Sequence, residues 1–283
     1  MSDFKIGIMA NSLRLPFKES IETAAKLGGE GVQLYAVWGE MAPENLSAQQ
    51  RIEKKDVIES NGLVVSALCG DLGGHGFQIR EDNVQKIEKS KRIIDLALDL
   101  GAKIVTTHIG VIPDEKNDTY QIMQEACNTL AEYAESVGAY FAIETGPEKA
   151  ALLKEFLDSL SARGVRVNFD PANLAMVTGD DPVKAVHTLK DYIIHTHAKD
   201  GVRHKPSDRH AVYGFFATGQ GDIKISDYFS EVPLGQGDVR WNEYLAALKE
   251  IGYHGFLTIE REVGNDPAAD IRLAVNFLKS KIG

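Results

Sequence analysis

Eight times along its 283 residues the chain repeats one unit. A short, β-branched apolar run leads into a polar loop, then an amphipathic stretch, then a glycine that opens the next round. The runs are Lys5–Ala10, Gly31–Val37, Val64–Cys69, Lys103–His108, Tyr140–Glu144, Arg166–Asp170, Tyr192–His197 and Gly255–Glu260. Between them apolar residues recur at helical spacing: Val84, Ile87, Ile94 and Leu98, then Tyr120, Met123, Cys127, Leu130 and Ala134, and later Ile271, Val275 and Leu278. Gly28, Gly62, Gly101, Gly138, Gly164 and Gly252 stand where helices should end in a left-handed residue. Pro16, Pro182 and Pro267 suit first helical turns, with Asp181 and Asp266 ahead of two of them as caps.

Strands alternating with helices imply parallel pairing and right-handed crossovers. Eight such units predict an α/β fold of the (β/α)8 TIM-barrel type, with a single domain over residues 1–283. An open, doubly wound sheet would carry a glycine-rich phosphate loop after its first strand, and MANSLRLP is not one. One long irregular stretch, Gly201 to Gly237, follows the seventh run. A loop of that length reads as a lid, a subunit contact or a plain insertion, so a homo-oligomer stays open.

Composition narrows the functional classes. Hydrophobic residues at 43 % and charged residues at 25 % are those of a globular protein rather than a disordered one. No apolar run reaches the length of a membrane span, and the N-terminus has no basic and apolar leader pattern. Two cysteines, Cys69 and Cys127, allow at most one bridge, which fits a reducing cytoplasm. The net charge of −10 disfavours nucleic acid and anionic membrane as partners, because phosphate binding leans on Lys and Arg.

In such a barrel the chemistry sits at the C-terminal ends of the strands. Five runs end in His108, Glu144, Asp170, His197 and Glu260. Strand alternation puts His195, His197 and Lys199 on one face, Thr258, Glu260 and Glu262 on another, and pairs Asn168 with Asp170 and Thr106 with His108. Three carboxylates and an imidazole converging at a barrel mouth would repel one another unless a cation sat among them. An oxygen-rich set with one nitrogen favours one divalent ion, Mn²⁺ or Mg²⁺, with Co²⁺ or Zn²⁺ as further options.

At these residues the chain resembles the sugar phosphate isomerase/epimerase group of the xylose-isomerase-like TIM-barrel superfamily. The resemblance runs through AIETG at Glu144, NFDPANL at Asp170, HTHAKD at His197, PLGQGDVRW, and GYHGFLTIERE at Glu260, in that order. It implies that Glu144, Asp170, His197 and Glu260 hold one divalent metal and that Glu144 and Glu260 double as the catalytic acid–base pair. The ketose 3-epimerases of the group hold substrate with an Arg six residues after the ligand His, which is Arg203 here. They use a His three residues after the ligand Asp, where this chain has Asn173. The expected reaction is isomerisation or epimerisation of a ketose or related polyol-ketone by proton transfer through a metal-stabilised enediolate. Lys199 and His108 are placed to hold further hydroxyls or the developing charge, so the substrate-binding set is His108, Asn173, Lys199 and Arg203. Trp38 could stack on a sugar face, His75 could line the site, and His195 could orient the ligands or simply pack.

Three other functions share this frame. A lyase, inosose-dehydratase-like or cleaving C-glycosides, would use the same enolate and expel a β-substituent. An apurinic-endonuclease-like hydrolase would need three metals; Asp208 and His210 could imitate one of its pairs, against the negative charge and the missing His at 173. A sugar binder without turnover would have little use for both Glu144 and Glu260.

Overall fold

The eight apolar runs become the eight parallel strands of a closed barrel in the computed structural model, which describes residues 4–219 and 223–283. The strands are β1 (Lys5–Met9), β2 (Gly31–Tyr35), β3 (Val64–Cys69), β4 (Ile104–Thr107), β5 (Tyr140–Glu144), β6 (Val165–Phe169) and β7 (Ile193–Ala198), followed by β8 (Asp200–Arg203), β9 (Phe229–Val232) and β10 (Phe256–Ile259). The barrel runs β1–β2–β3–β4–β5–β6–β7–β10 and closes on β1. β8 and β9 form a separate antiparallel pair, Asp200 opposite Val232 and Arg203 opposite Phe229.

The helices, in chain order, are α1 (Phe17–Leu27), α2 (Ala48–Ser60), α3 (Arg80–Asp99), α4 (Asp118–Val137), α5 (Ala150–Asp158), α6 (Pro171–Asn173), α7 (Pro182–Thr188), α8 (Arg209–Thr218), α9 (Trp241–Glu250) and α10 (Pro267–Ile282). All but α6 and α8 are crossover helices that cover the barrel. Among the described residues, no helix is long and apolar enough to cross a membrane.

Local chemistry sets the helix ends. The Asp181 and Asp266 side chains accept from Val183 N and Ala269 N, and Ser47 with Gln50 forms a capping box on α2. Each such cap is worth about 1 kcal/mol. Gly28 and Gly138 end α1 and α4 in the left-handed region, at φ 95° and 72°.

Three expectations change. Val84 is 70 % exposed, and α3 instead buries Ile93, Ile94, Leu96 and Ala97. Gly164 is not a left-handed helix exit; a Cβ there would lie 2.0 Å from the Ala131 carbonyl oxygen of α4. The stretch Gly201 to Gly237 is not irregular, since it carries most of β8 and all of α8 and β9. Its residues 220–222 lie outside the described ones.

Inside the barrel the packing is polar near the mouth. The ladder register shifts between Val32 and Gln33 in β2 and between Val167 and Asn168 in β6. Such irregularities re-aim side chains, and both fall at a residue that supports the site.

Candidate metal centre

Four side chains from neighbouring strand ends meet at the barrel mouth. Glu144 closes β5, Asp170 and Glu260 each follow a strand by one residue, and His197 lies within β7. One ligand-capable atom from each of the four falls within 4.8 Å of the others, and among the described residues this is the single grouping of its kind. All four side chains are buried.

The surroundings decide which atom each residue offers. His197 donates from Nε2 to Gln33 Oε1 at 3.1 Å. Its Nδ1 then faces Glu144 Oε1 at 3.5 Å, Asp170 Oδ2 at 3.6 Å and Glu260 Oε2 at 3.3 Å. A hydrogen bond on one ring nitrogen fixes the tautomer that presents the other as a ligand. Asn168 donates to Glu144 Oε2 at 3.0 Å and accepts on Oδ1 from His195 Nδ1 at 2.9 Å. His195 completes the layer against Thr258 Oγ1 at 3.1 Å. Burial and the neighbouring His197 push the His195 imidazole well below its usual range, so it stays neutral.

Asp170 divides its carboxylate. Oδ1 caps the short α6 helix, accepting from Ala172 N at 2.8 Å and Asn173 N at 3.0 Å. Oδ2 is buried without a hydrogen-bond partner, as is His197 Nδ1. Two orphaned, buried ligand atoms turned toward two further carboxylates suit a cation, because an unpaired buried polar group is costly. The demand for positive charge also shows in His197. Burial opposes its protonation, yet Glu144 and Glu260 overcome that and hold its pKa well above the usual value. The donor set, three carboxylates and one imidazole, could hold a divalent metal.

The two glutamates have different partners. Glu144 Oε1 accepts from Asn173 Nδ2 at 3.0 Å and lies 3.7 Å from His108 Nε2. His108 Nδ1 is bonded to Asp71 Oδ2 at 2.9 Å. Burial works against the imidazolium, but Glu144 and Asp71 outweigh it and raise its pKa to about 10. Glu260 Oε2 accepts from Lys199 Nζ at 3.1 Å, and Lys199 also reaches Glu262 Oε2 at 2.5 Å. Burial would lift the Glu260 carboxyl, but Lys199 and His197 hold it well below the usual carboxylate range.

A cavity of about 660 Å³ opens above the cluster. Of the residues singled out in the sequence, His108, Glu144, Asn173, His197, Lys199 and Glu260 line it, and Asp170 sits just beneath. Arg203 does not line it: its guanidinium lies against Gly179, where a Cβ would come within 1.5 Å of Nη1. Trp38 is 58 % exposed and rests on Tyr35, which is the aromatic of that strand end that faces the cavity. His75 stays outside the lining, although Gly73 and Gly74 beside it belong to it. Asp208 caps α8 through His210 N, and neither residue joins the metal-capable grouping. In PLGQGDVRW, Asp200 pins the loop by accepting from Gly235 N, Val239 N and Trp241 Nε1. Gly237 passes so close that a Cβ would lie 2.2 Å from Asp200 Oδ1.

Sequence reading missed Gln33, Asp71, Glu148 and Arg209. The inward parity of GVQLY could have flagged Gln33, and Asp71 stands two residues past a strand end, in the glycine-rich segment that drew attention to His75. Glu148 and Arg209 meet only in three dimensions.

With this geometry in hand, comparison with known proteins is decisive for the family. The sequence profile of the xylose isomerase-like TIM barrel matches residues 21–281. The chain belongs to that family. It is 27 % identical to the Bacillus subtilis protein YfiH, over 98 % of this chain and 99 % of that one. An inosose dehydratase of Lacticaseibacillus casei is 24 % identical over 55 % of this chain and 51 % of its own length. Among solved structures, a xylose isomerase domain protein from Planctomyces limnophilus superposes with a TM-score of 0.78 at 25 % identity, covering 98 % of this chain and 96 % of that one. A D-psicose 3-epimerase shares the fold with a TM-score of 0.74 at 17 % identity, over 99 % of this chain and 100 % of that one.

Proposed function

We propose that this family member is a divalent-metal-dependent sugar isomerase or epimerase that shuttles a proton on a hydroxy-ketone. The observation that carries the reading is the pair of buried glutamates, Glu144 and Glu260, joined to one metal-capable centre and held by separate sets of partners. Glu144, Asp170, His197 and Glu260 would hold the ion, and the oxygen-rich set favours Mn²⁺ or Mg²⁺. When bound, the ion supplies Lewis-acid polarisation of the substrate carbonyl and stabilises the enediolate charge.

The chain's own residues do the rest. Glu260, kept ionised by Lys199, takes the proton from the carbon beside the carbonyl. Glu144, beside the His108–Asp71 pair, delivers one to the opposite face or to the neighbouring carbon. Asn173 orients Glu144, and Lys199 and His108 hold hydroxyls that border the reacting carbons. The substrate is a small, uncharged sugar or sugar derivative. The two buried thiols, Cys69 and Cys127, fit a cytoplasmic setting.

A second reading is β-elimination on the same centre, favoured by the partial likeness to inosose dehydratase. Proton removal would be unchanged, and a β-hydroxyl or other substituent would leave in place of proton return.

The test is NMR of ketoses, inososes and oxidised glycosides in D₂O, with metal content measured on the same protein. About one divalent ion per chain is expected, lost in Asp170→Ala, together with solvent deuterium at the carbon beside the carbonyl. Unchanged product mass marks isomerisation; loss of water or of an aglycone marks elimination. Full activity in metal-free protein would end the proposal.

A further inference from the structure

The cavity has two unlike halves. Its floor is the polar cluster, with Asp71 and His108 beside it. Its roof is largely apolar: Val212, Tyr213, Phe215 and Phe216 of α8 line it with Phe229 of β9 and Met176, the last from the π-helical turn Leu174–Thr178. Arg209, Ser226, Ser230 and Glu231 add polar groups. The roof is mounted on the floor's own strand, because β8 leaves β7 directly after Lys199 and pairs with β9. Ser207 Oγ, just ahead of α8, donates to Val177 O at 3.1 Å and ties the roof to that turn. Phe216, at the rim, is 64 % exposed, with Phe215 packed edge-on against it at 5.6 Å.

A bare hexose offers one small C–H face for an aromatic side chain to stack on, which would leave most of such a roof unfilled. A cavity of about 660 Å³ is also in the range that encloses ligands larger than one sugar. Charge excludes a phosphate as the extra group. Among the described residues the lining holds five carboxylates, on Asp71, Glu144, Glu231, Glu260 and Glu262, against the cations of Lys199, Arg209 and the His108 imidazolium. Each is already engaged, Lys199 by Glu260 and Glu262, Arg209 by Asp114 at 2.8 Å and His108 by Asp71 at 2.9 Å. A phosphate entering this space would find each of these side-chain cations already paired with a carboxylate.

We infer that α8 and β9 form a subsite for a flat apolar or aromatic substituent, so that the substrate is an uncharged sugar derivative carrying an apolar aglycone. The inference rests on the function proposed above for its sugar half. The aglycone half rests on the roof alone. Aromatic walls bind such a group by burying its surface and by edge and face contacts.

Calorimetric titration of the metal-loaded protein with three unreactive probes tests it: para-nitrophenyl β-glucoside, methyl β-glucoside and methyl β-glucoside 6-phosphate. The aryl glycoside should bind about tenfold more tightly than the methyl glycoside, and the sugar phosphate more weakly than either. Phe216→Ala should remove most of the aryl advantage and leave methyl glycoside affinity unchanged. Tyr213→Ala, deeper in the wall, repeats the measurement at a second position. Equal affinities for the two glycosides, no measurable aryl binding, preference for the phosphate, or an aryl advantage that survives both substitutions would each overturn the inference. Asp170→Ala separates the two proposals. If metal and proton exchange are missing in wild type while the aryl preference persists in Asp170→Ala, the isomerase reading fails and the subsite stands.

Discussion

Glu144 and Glu260 bring chemically identical carboxylates to one centre, yet the chain holds them by opposite means. The Glu144 side takes its hydrogen bonds from neutral donors, the amides of Asn168 and Asn173, and the one charge near it, the His108 imidazolium 3.7 Å away, is itself paired with Asp71. The Glu260 side is built from charge. Lys199 bridges Glu260 to Glu262, Glu262 N meets Glu231, and Arg261 joins Glu231 at 2.6 Å to Asp270 at 2.8 Å. Amides position a carboxylate without adding positive charge, whereas an adjacent ammonium both positions it and favours its ionised form. In the reaction proposed above, the Glu260 side would receive the proton and the Glu144 side, with His108 beside it, would hand one on.

The largest effect should come from breaking this pair one member at a time. Glu144→Gln and Glu260→Gln should each lower turnover by about 10²–10⁴-fold, the usual cost of removing a general acid or base. Metal content should fall far less than in Asp170→Ala, since the amide oxygen remains. The sharper readout is deuterium exchange on each of two substrate epimers. If the glutamates serve opposite faces, each variant still exchanges the proton of one epimer and not of the other. Loss of exchange from both epimers in both variants would show that the sides do not divide the work.

A smaller effect tests the Glu144 side through a carboxylate that takes no part in the centre. Glu148, four residues on, is buried with Oε2 unpartnered. Burial raises its pKa from the ordinary 4.5 to about 8, against the pull of Arg209 and His108. A folded-state pKa raised in this way means stability fully present below about pH 4.5 and lost as pH climbs through about 8. Glu148→Gln cannot ionise, so it should flatten that decline. Between about pH 5 and pH 8 the wild-type Tm should fall by about 4 °C more than that of the variant. Parallel curves would place the Glu148 titration elsewhere.

The contrast between the two sides also marks what could be read from the sequence. The barrel was legible because a parallel strand buried on both faces leaves a continuous apolar run, and eight such runs admit few arrangements. The cluster was legible for a related reason: strand ends converge at one mouth, which put Glu144, Asp170, His197 and Glu260 among five strand-end candidates with His108, and the family likeness singled out the four. Their supports were less legible. Gln33 orients His197 from 164 residues away, and that contact depends on a register shift no local pattern announces. Val84 looked like a core residue by spacing, but α3 turns a slightly different face to the barrel, fixed by packing against its neighbours. The length of the stretch after the seventh run allowed a lid, but the make-up of the roof was hidden, because α8 lies in an excursion whose placement depends on β8 pairing with β9 across 25 intervening residues, 204–228.

Arg203 sharpens the comparison by the smallest expected effect. It lies four residues after Lys199, and family likeness would give it a substrate contact like that of Lys199. The two positions differ in what they face. Lys199 ends on the floor of the cavity, whereas Arg203 leaves along β8, with its N–H donating to Asp238 Oδ2 at 2.8 Å and its guanidinium against Gly179. Gly179 is left-handed at φ 66°, and the guanidinium occupies the space a side chain there would need. Arg203 thus braces the end of the π-helical turn that carries Met176 and Val177 into the cavity. Arg203→Ala should leave KM within about twofold of wild type and lower stability by about 1 kcal/mol, a Tm drop of about 2–4 °C. A KM raised about tenfold at unchanged Tm would instead return Arg203 to the substrate. Because truncation removes bracing and charge together, Arg203→Met separates them: it keeps most of the packed stem, so a bracing role predicts that Tm recovers while KM stays near wild type.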